Sequence, residues 1–266
     1  MTAAGTRRAI PVLFSFGRSG GTLLNQLLGT HPDCYVLSEV NPAASYVPMV
    51  EQAQKWLHLI EPGPAAEFRS LPYARKIAYL DDGARARGKR LLVRDFSAVN
   101  FMPGCVPQVS PSSVLEQQFY LQDAGFEIVP LVIARRARDV YASWTRNFEQ
   151  FREMSMERFA ESYVRYAEAV RKYPVIHLES VQAEPASAVA QVLEKFGLDR
   201  KWQSHMLENF HSFDRCSGNN TLAAASPSAG AKVIMKMPAS ETTVSSAQDT
   251  CAITALAEAD GWLGYE

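Results

Sequence analysis

An apolar run from Pro11 to Phe16 passes directly into Gly17-Arg18-Ser19-Gly20-Gly21-Thr22 and then into Leu23, Leu24, Leu27 and Leu28, which are spaced for one face of a helix. Gly29 and then His31-Pro32 stop that helix. A buried strand, a glycine-rich turn and a helix in immediate succession make an anion cradle. Glycines let several backbone N–H groups turn toward one point, and the helix N-terminus adds its positive end. Ser19 and Thr22 add hydroxyl donors and Arg18 adds a cation.

The rest of the chain continues the alternation. Further strands are expected at Cys34 to Leu37, Arg90 to Arg94, Glu127 to Ala134 and Val175 to Leu178. The apolar core of Pro130-Leu131-Val132-Ile133-Ala134 is that of a central strand buried on both faces. Phe159, Tyr163, Tyr166 and Val170 mark one helix face, as do Val189, Val192, Leu193 and Phe196, and both stripes read as core. The expected fold is α/β: a P-loop-type central parallel sheet flanked by helices, three layers α/β/α, in one domain over 1–266. Residues 42–88 read as helices broken around Pro62-Gly63-Pro64. Residues 216–246, rich in Ser, Ala, Thr and Asn, read as a mobile loop before a last helix from Ser246 to Ala259.

With 27 basic and 28 acidic residues the net charge is -1, so no global field attracts nucleic acid or an anionic membrane. Any anion must be held locally. The N-terminal apolar stretch is too short for a signal-peptide core or a membrane span. Cys34, Cys105, Cys216 and Cys251 lie far apart, which favours reduced thiols and a cytoplasmic location. His205, His211 and Cys216 fit no standard zinc spacing, so no metal is expected.

The cradle is not a Walker A motif, because no lysine precedes Thr22. Gly17, Ser19 and Gly21 do satisfy G-x-S-x-G, so a serine hydrolase with Ser19 as nucleophile and His205 or His211 as base is one alternative. An elbow on the first strand, however, has no upstream strand and loop to supply the usual second oxyanion donor. A second anion site follows the strand ending at Ala134: Arg135-Arg136-Ala137-Arg138-Asp139-Val140-Tyr141-Ala142-Ser143. Open parallel sheets bind ligands beyond the C-terminal ends of their strands, and an arginine fork suits a doubly ionised phosphate. Ser143 follows Arg135 by eight positions (143 minus 135), about two turns down the next helix, where a hydroxyl and an arginine can grip one phosphate.

These two segments resemble the 3'-phosphoadenosine-5'-phosphosulfate (PAPS) dependent sulfotransferases. In that family an R-S-G-T-T-L loop after the first strand holds the 5'-phosphosulfate, and an R-x-x-R-D-V-x-x-S segment holds the 3'-phosphate. The matching residues are Arg18 to Leu24 and Arg135 to Ser143, with Gly21 in place of the usual first threonine. The resemblance extends to His31-Pro32-Asp33, Val175 to Val181, Phe196-Gly197-Leu198 and, faintly, Ser217 to Asn220. It implies PAPS as cofactor, adenosine 3',5'-bisphosphate (PAP) as product, and a small-molecule or carbohydrate acceptor, with Arg18, Ser19, Gly20, Gly21, Thr22, Leu23, Arg135 and Ser143 binding the nucleotide.

Arg18 is the expected cation at the leaving phosphate. Glu39, placed just after the second strand, is the expected general base, against a competing role as cap of a helix beginning near Asn41 to Ala43. Asp95 is the alternative base, or else a partner of Arg94 or Arg90. The stretch from Glu51 to Arg87 carries none of the resemblance, and the helical region 42–88 is expected to form the acceptor side, with Tyr46, Met49, Trp56, Phe101 and Met102 as apolar candidates. A nucleotide-binding module without transfer activity is the remaining alternative.

Overall fold

The computed structural model describes residues 8–61, 63–217 and 247–266. Its five strands are β1 (Arg8–Ser15), β2 (Cys34–Val40), β3 (Arg90–Asp95), β4 (Phe126–Ala134) and β5 (Val175–His177). They form one sheet in the order β2-β3-β1-β4-β5, and every pairing is parallel. The three-layer α/β/α expectation holds. Each strand lies within a few residues of its sequence assignment, with one consequential difference. β2 runs on to Val40, so Glu39 lies inside the strand and not beyond it.

The helices in chain order are α1 (Gly21–Gly29), α2 (Met49–Glu51), α3 (Ala65–Ser70), α4 (Tyr73–Arg85), α5 (Ala98–Phe101) and α6 (Glu116–Asp123). After β4 come α7 (Ala137–Asn147), α8 (Met156–Val170), α9 (Leu178–Ala183), α10 (Pro185–Phe196), α11 (Gln203–Asn209) and α12 (Ala247–Trp262). Strand alternation sorts the core into two layers. Leu13, Val36, Leu92, Leu131 and Ile133 face α1, α9, α10 and α11. Ile10, Val12, Phe14, Leu91, Val93 and Val132 face α4, α7, α8 and α12.

The aromatic stripe of α8 is core, as its spacing predicts. Phe16, the last residue before the cradle, meets the rings of Trp144, Phe159, Tyr163 and Tyr166 at centroid distances of 5.7, 6.0, 5.3 and 5.1 Å. Such pairs add about 0.5–1.5 kcal/mol each beyond area burial. They fix the point at which the chain leaves β1, and with it the position of the loop that follows.

Parallel strands bring the ends of β1, β2, β3 and β4 to one edge of the sheet. β1 is central: the chain leaves it to build β2 and β3 on one side, then crosses over to build β4 and β5 on the other. That edge is a topological switch point, where α/β sheets open a crevice for ligands.

Candidate active site

The cradle is a tight turn locked to its surroundings. Ser19 N donates to Phe16 O at 3.1 Å, and Trp144 Nε1 of α7 donates to Gly17 O at 2.7 Å. Gly20 caps α1 at φ 94°, a conformation that L side chains rarely adopt, and a Cβ there would lie 2.7 Å from Leu178 Cδ1. The first N–H groups of α1 have no intrahelical acceptor and so are available to an anion. The Ser19 hydroxyl is 1% exposed and has no hydrogen-bond partner among the described residues. An orphaned buried donor in a cradle of this kind fits an anionic ligand. It does not fit the nucleophile of a hydrolase, because Ser19 Oγ has no histidine partner among those residues.

The second anion segment lies against the first. Arg135, 6% exposed, leaves β4 with its backbone carbonyl held by the Tyr163 hydroxyl at 3.0 Å. Its Nε sits 3.8 Å from Asp139. Ser143 faces inward from α7, and Arg18 Nε donates to Ser143 Oγ at 2.9 Å. Arg18 therefore belongs to the first loop by backbone and reaches the second by side chain. Burial, and then the positive charge of Arg135, hold the Arg18 guanidinium below its ordinary pKa, while Glu39 opposes the shift. Arg18 also has a positive φ, 74°. A non-glycine residue held in that region stores strain of the kind that collects at functional sites.

Glu39 is a second such residue, at φ 49°. The β2–β3 register shifts between Leu37 and Val40. Simple alternation would turn Glu39 to the face opposite Ser38, and the irregularity re-aims it. Its Oε1 accepts from Arg94 Nη2 at 2.7 Å, and its Oε2 is buried without a partner among the described residues. No helix begins at Asn41 to Ala43; the next one starts at Met49, so Glu39 is not a helix cap. Sequence reasoning gave Arg94 no role except pairing with Asp95. The structure pairs it with Glu39 instead, and its Nη2 is also 3.4 Å from Thr22 Oγ1. Strand parity puts Arg94 on the same face as Leu92, two positions earlier, and the sheet pairing makes that the face that carries α1.

Asp95 points elsewhere. It is fully buried, with Oδ1 accepting from Asn41 Nδ2 at 2.8 Å and Oδ2 from Ser97 Oγ at 2.6 Å. Neither Arg94 nor Arg90 pairs with it; Arg90 donates to the carbonyl of Phe196. Burial pushes the Asp95 carboxyl up to about 7, against the lowering effect of the Ser97 and Asn41 hydrogen bonds. From about pH 4 to about pH 7 the folded chain therefore holds a proton that the unfolded chain releases, and stability falls as pH rises by up to about 1.4 kcal/mol per unit from this group. In urea unfolding across that range, Asp95→Asn is expected to remove this part of the slope. An unchanged slope would mean that Asp95 is ionised throughout.

The apolar acceptor candidates divide. Met49, Phe101 and Met102 are core residues, whereas Tyr46 is 62% exposed. Tyr46 packs edge-on to Phe96, and its N–H donates to Glu39 O at 3.0 Å. Trp56 lines a cavity of about 370 Å³ with His31, Cys34, Lys89, His205 and Arg215. That cavity is bounded by the end of α1 and the start of β2, at the opposite edge of the sheet from the cradle. The buried His31 is structural, bonded to Asp199 O and Asp33 N. All four cysteines are free. Among the described residues no group of three or more His, Cys, Asp or Glu side chains could hold a metal ion, and no helix is long and apolar enough to cross a membrane. The expected loop at 216–246 lies outside the described residues from 218 onward. Ser217 is described: its carbonyl is 3.3 Å from Arg94 Nη1 and 3.4 Å from Thr22 Oγ1, and its hydroxyl bonds Ser38 Oγ at 2.8 Å.

No protein-family model and no curated protein sequence matches the chain. Solved structures do. The sulfotransferase domain from the Synechococcus PCC 7002 olefin synthase aligns with a TM-score of 0.63 at 18% identity, covering 98% of this chain and 96% of that one. The sulfotransferase domain from the curacin biosynthetic pathway aligns at 0.56 and 15% identity, over 95% of this chain and 99% of that one. Both alignments span nearly the whole of this chain, and the chain has the sulfotransferase fold.

Proposed function

We propose that the protein is a sulfotransferase that takes PAPS as donor and transfers the sulfuryl group to a hydroxyl or amine of a small-molecule or carbohydrate acceptor. The observation that supports this most is the 2.9 Å Arg18–Ser143 hydrogen bond. It joins two anion loops into one crevice, and a nucleotide with anionic groups at both its 5' and 3' ends fills both. A ligand with one phosphate leaves one loop empty.

PAPS, when bound, supplies an activated sulfuryl group whose transfer leaves PAP. Ser19, Gly20, Gly21, Thr22 and Leu23 offer hydroxyls and helix N-terminal N–H groups to the 5' end. Arg135 and Ser143 take the 3'-phosphate, with Arg18 between the two ends as a permanent charge. Such transfers are loose in-line displacements in which positioning and charge stabilisation contribute most. Glu39 accepts the proton of the attacking hydroxyl at Oε2, while Oε1 stays on Arg94. The acceptor enters beside the exposed Tyr46, whose backbone borders Glu39.

A ligand that binds only the folded state raises its melting temperature. PAP at one hundred times its Kd is expected to add about 2.7 kcal/mol, a rise of several degrees in a thermal-shift experiment. No rise with PAP, together with fluorophosphonate labelling of Ser19, would favour the hydrolase instead.

A further inference from the structure

Gly21 is the residue at which the cradle departs from the loop it resembles, and the structure gives a physical reason for the glycine. A Cβ on residue 21 would lie 2.7 Å from Ser15 Oγ, 2.9 Å from Arg94 Nε and 3.0 Å from Arg94 Nη2. Strand alternation accounts for this crowding: Ser15 of β1, Ser38 of β2 and Arg94 of β3 all point to the face on which α1 begins. The space that a side chain at residue 21 would need is filled by the Arg94 guanidinium.

The Arg94 side chain is 4% exposed and its guanidinium is nearly saturated. Nη2 reaches Glu39 Oε1 at 2.7 Å and Thr22 Oγ1 at 3.4 Å, and Nη1 reaches Ser217 O at 3.3 Å and Ser38 Oγ at 3.5 Å. Nε, nearest to Gly21, has no partner among the described residues. Two consequences follow from donor and acceptor valence. A Thr22 oxygen that accepts from Arg94 has its own O–H directed at Ser217 O, 3.4 Å away, so the orientation of that hydroxyl is fixed from both sides. A Glu39 carboxylate bound through Oε1 keeps Oε2 to take a proton.

We propose that Arg94 is the positioning residue of the transfer site, fixing the Thr22 hydroxyl and aiming the Glu39 acceptor together from a place that exists only because residue 21 has no side chain. Glycine at 21 and arginine at 94 are then one device, in which a guanidinium from β3 stands where the loop would otherwise carry a second hydroxyl. The proposal rests on the sulfotransferase reading.

The test is a double-mutant cycle of Gly21→Ala and Arg94→Gln in a Ser15→Ala background, which removes the other obstacle to a Cβ at residue 21. Two quantities are read: PAP affinity by calorimetry, and the rate at which PAPS is cleaved to PAP and sulfate with water as acceptor. Gly21→Ala is expected to slow cleavage about tenfold or more when Arg94 is present and less than about threefold when Arg94→Gln is already in place, because contacting residues are not additive. If Arg94→Gln does not fold, Arg94→Lys serves: it keeps the charge but not the fork, and is expected to hold PAP within about threefold while cleavage falls about tenfold. Additive losses, or a lysine variant at wild-type rate, would each overturn the inference. Because PAP affinity is read separately, those results leave the sulfotransferase reading standing, whereas a wild-type chain that does not bind PAP removes both.

Discussion

Glu39→Gln is expected to lower sulfuryl transfer by about a hundredfold or more, the size of a general-base contribution, with PAP affinity close to wild type. The substitution keeps an oxygen for Arg94 Nη2 and replaces the unpartnered Oε2, the atom proposed to take the proton, with an amide that cannot. It also removes the charge that compensates the guanidinium of a side chain only 4% exposed, so some stability is lost. Glu39→Ala, which leaves Arg94 with no partner at that position, is expected to cost about 3–5 kcal/mol, as breaking a buried pair does. Initial rates at matched folded concentration, paired with urea unfolding, separate the two effects. If Glu39→Gln lowers stability while each folded molecule keeps its activity, Glu39 is the counter-ion of Arg94 and not the base.

Glu39 also marks where the sequence could be read and where it could not. The strand–turn–helix of the cradle and the arginines after β4 were legible because glycine, hydroxyl and charge patterns are local. The alternating elements announced the three layers for the same reason. Arg94 was not legible as a site residue: its role depends on the parallel pairing of β2 with β3 and on the face of β3 that carries α1, and single-strand periodicity does not specify either. The irregularity that turns Glu39 onto Arg94 was hidden because β2 was expected to stop at Leu37. Asp95 was misread for the opposite reason. It neighbours Arg94 in sequence, but adjacent strand residues face opposite sides of a sheet, so Asp95 meets Asn41 and Ser97 instead. Arg18 was placed in the first loop correctly by backbone, yet its reach to Ser143 needed the packing of α7 against Gly17.

In the proposed function the two anion loops grip the two ends of one nucleotide. Arg135→Ala removes a guanidinium at the C-terminal end of β4, and Ser143→Ala removes the hydroxyl that Arg18 and Asn147 also share. Hydrogen bonds to charged groups contribute about 1.5–3 kcal/mol, and about 1.4 kcal/mol is a factor of ten in affinity. Each variant should therefore bind PAP about ten to one hundred times more weakly, with adenosine 5'-phosphosulfate, which lacks the 3'-phosphate, changing by less than about threefold. Calorimetric titration of both ligands into wild type and Arg135→Ala is the direct measurement. A loss confined to PAP is the predicted result, and equal losses for both ligands would contradict the account.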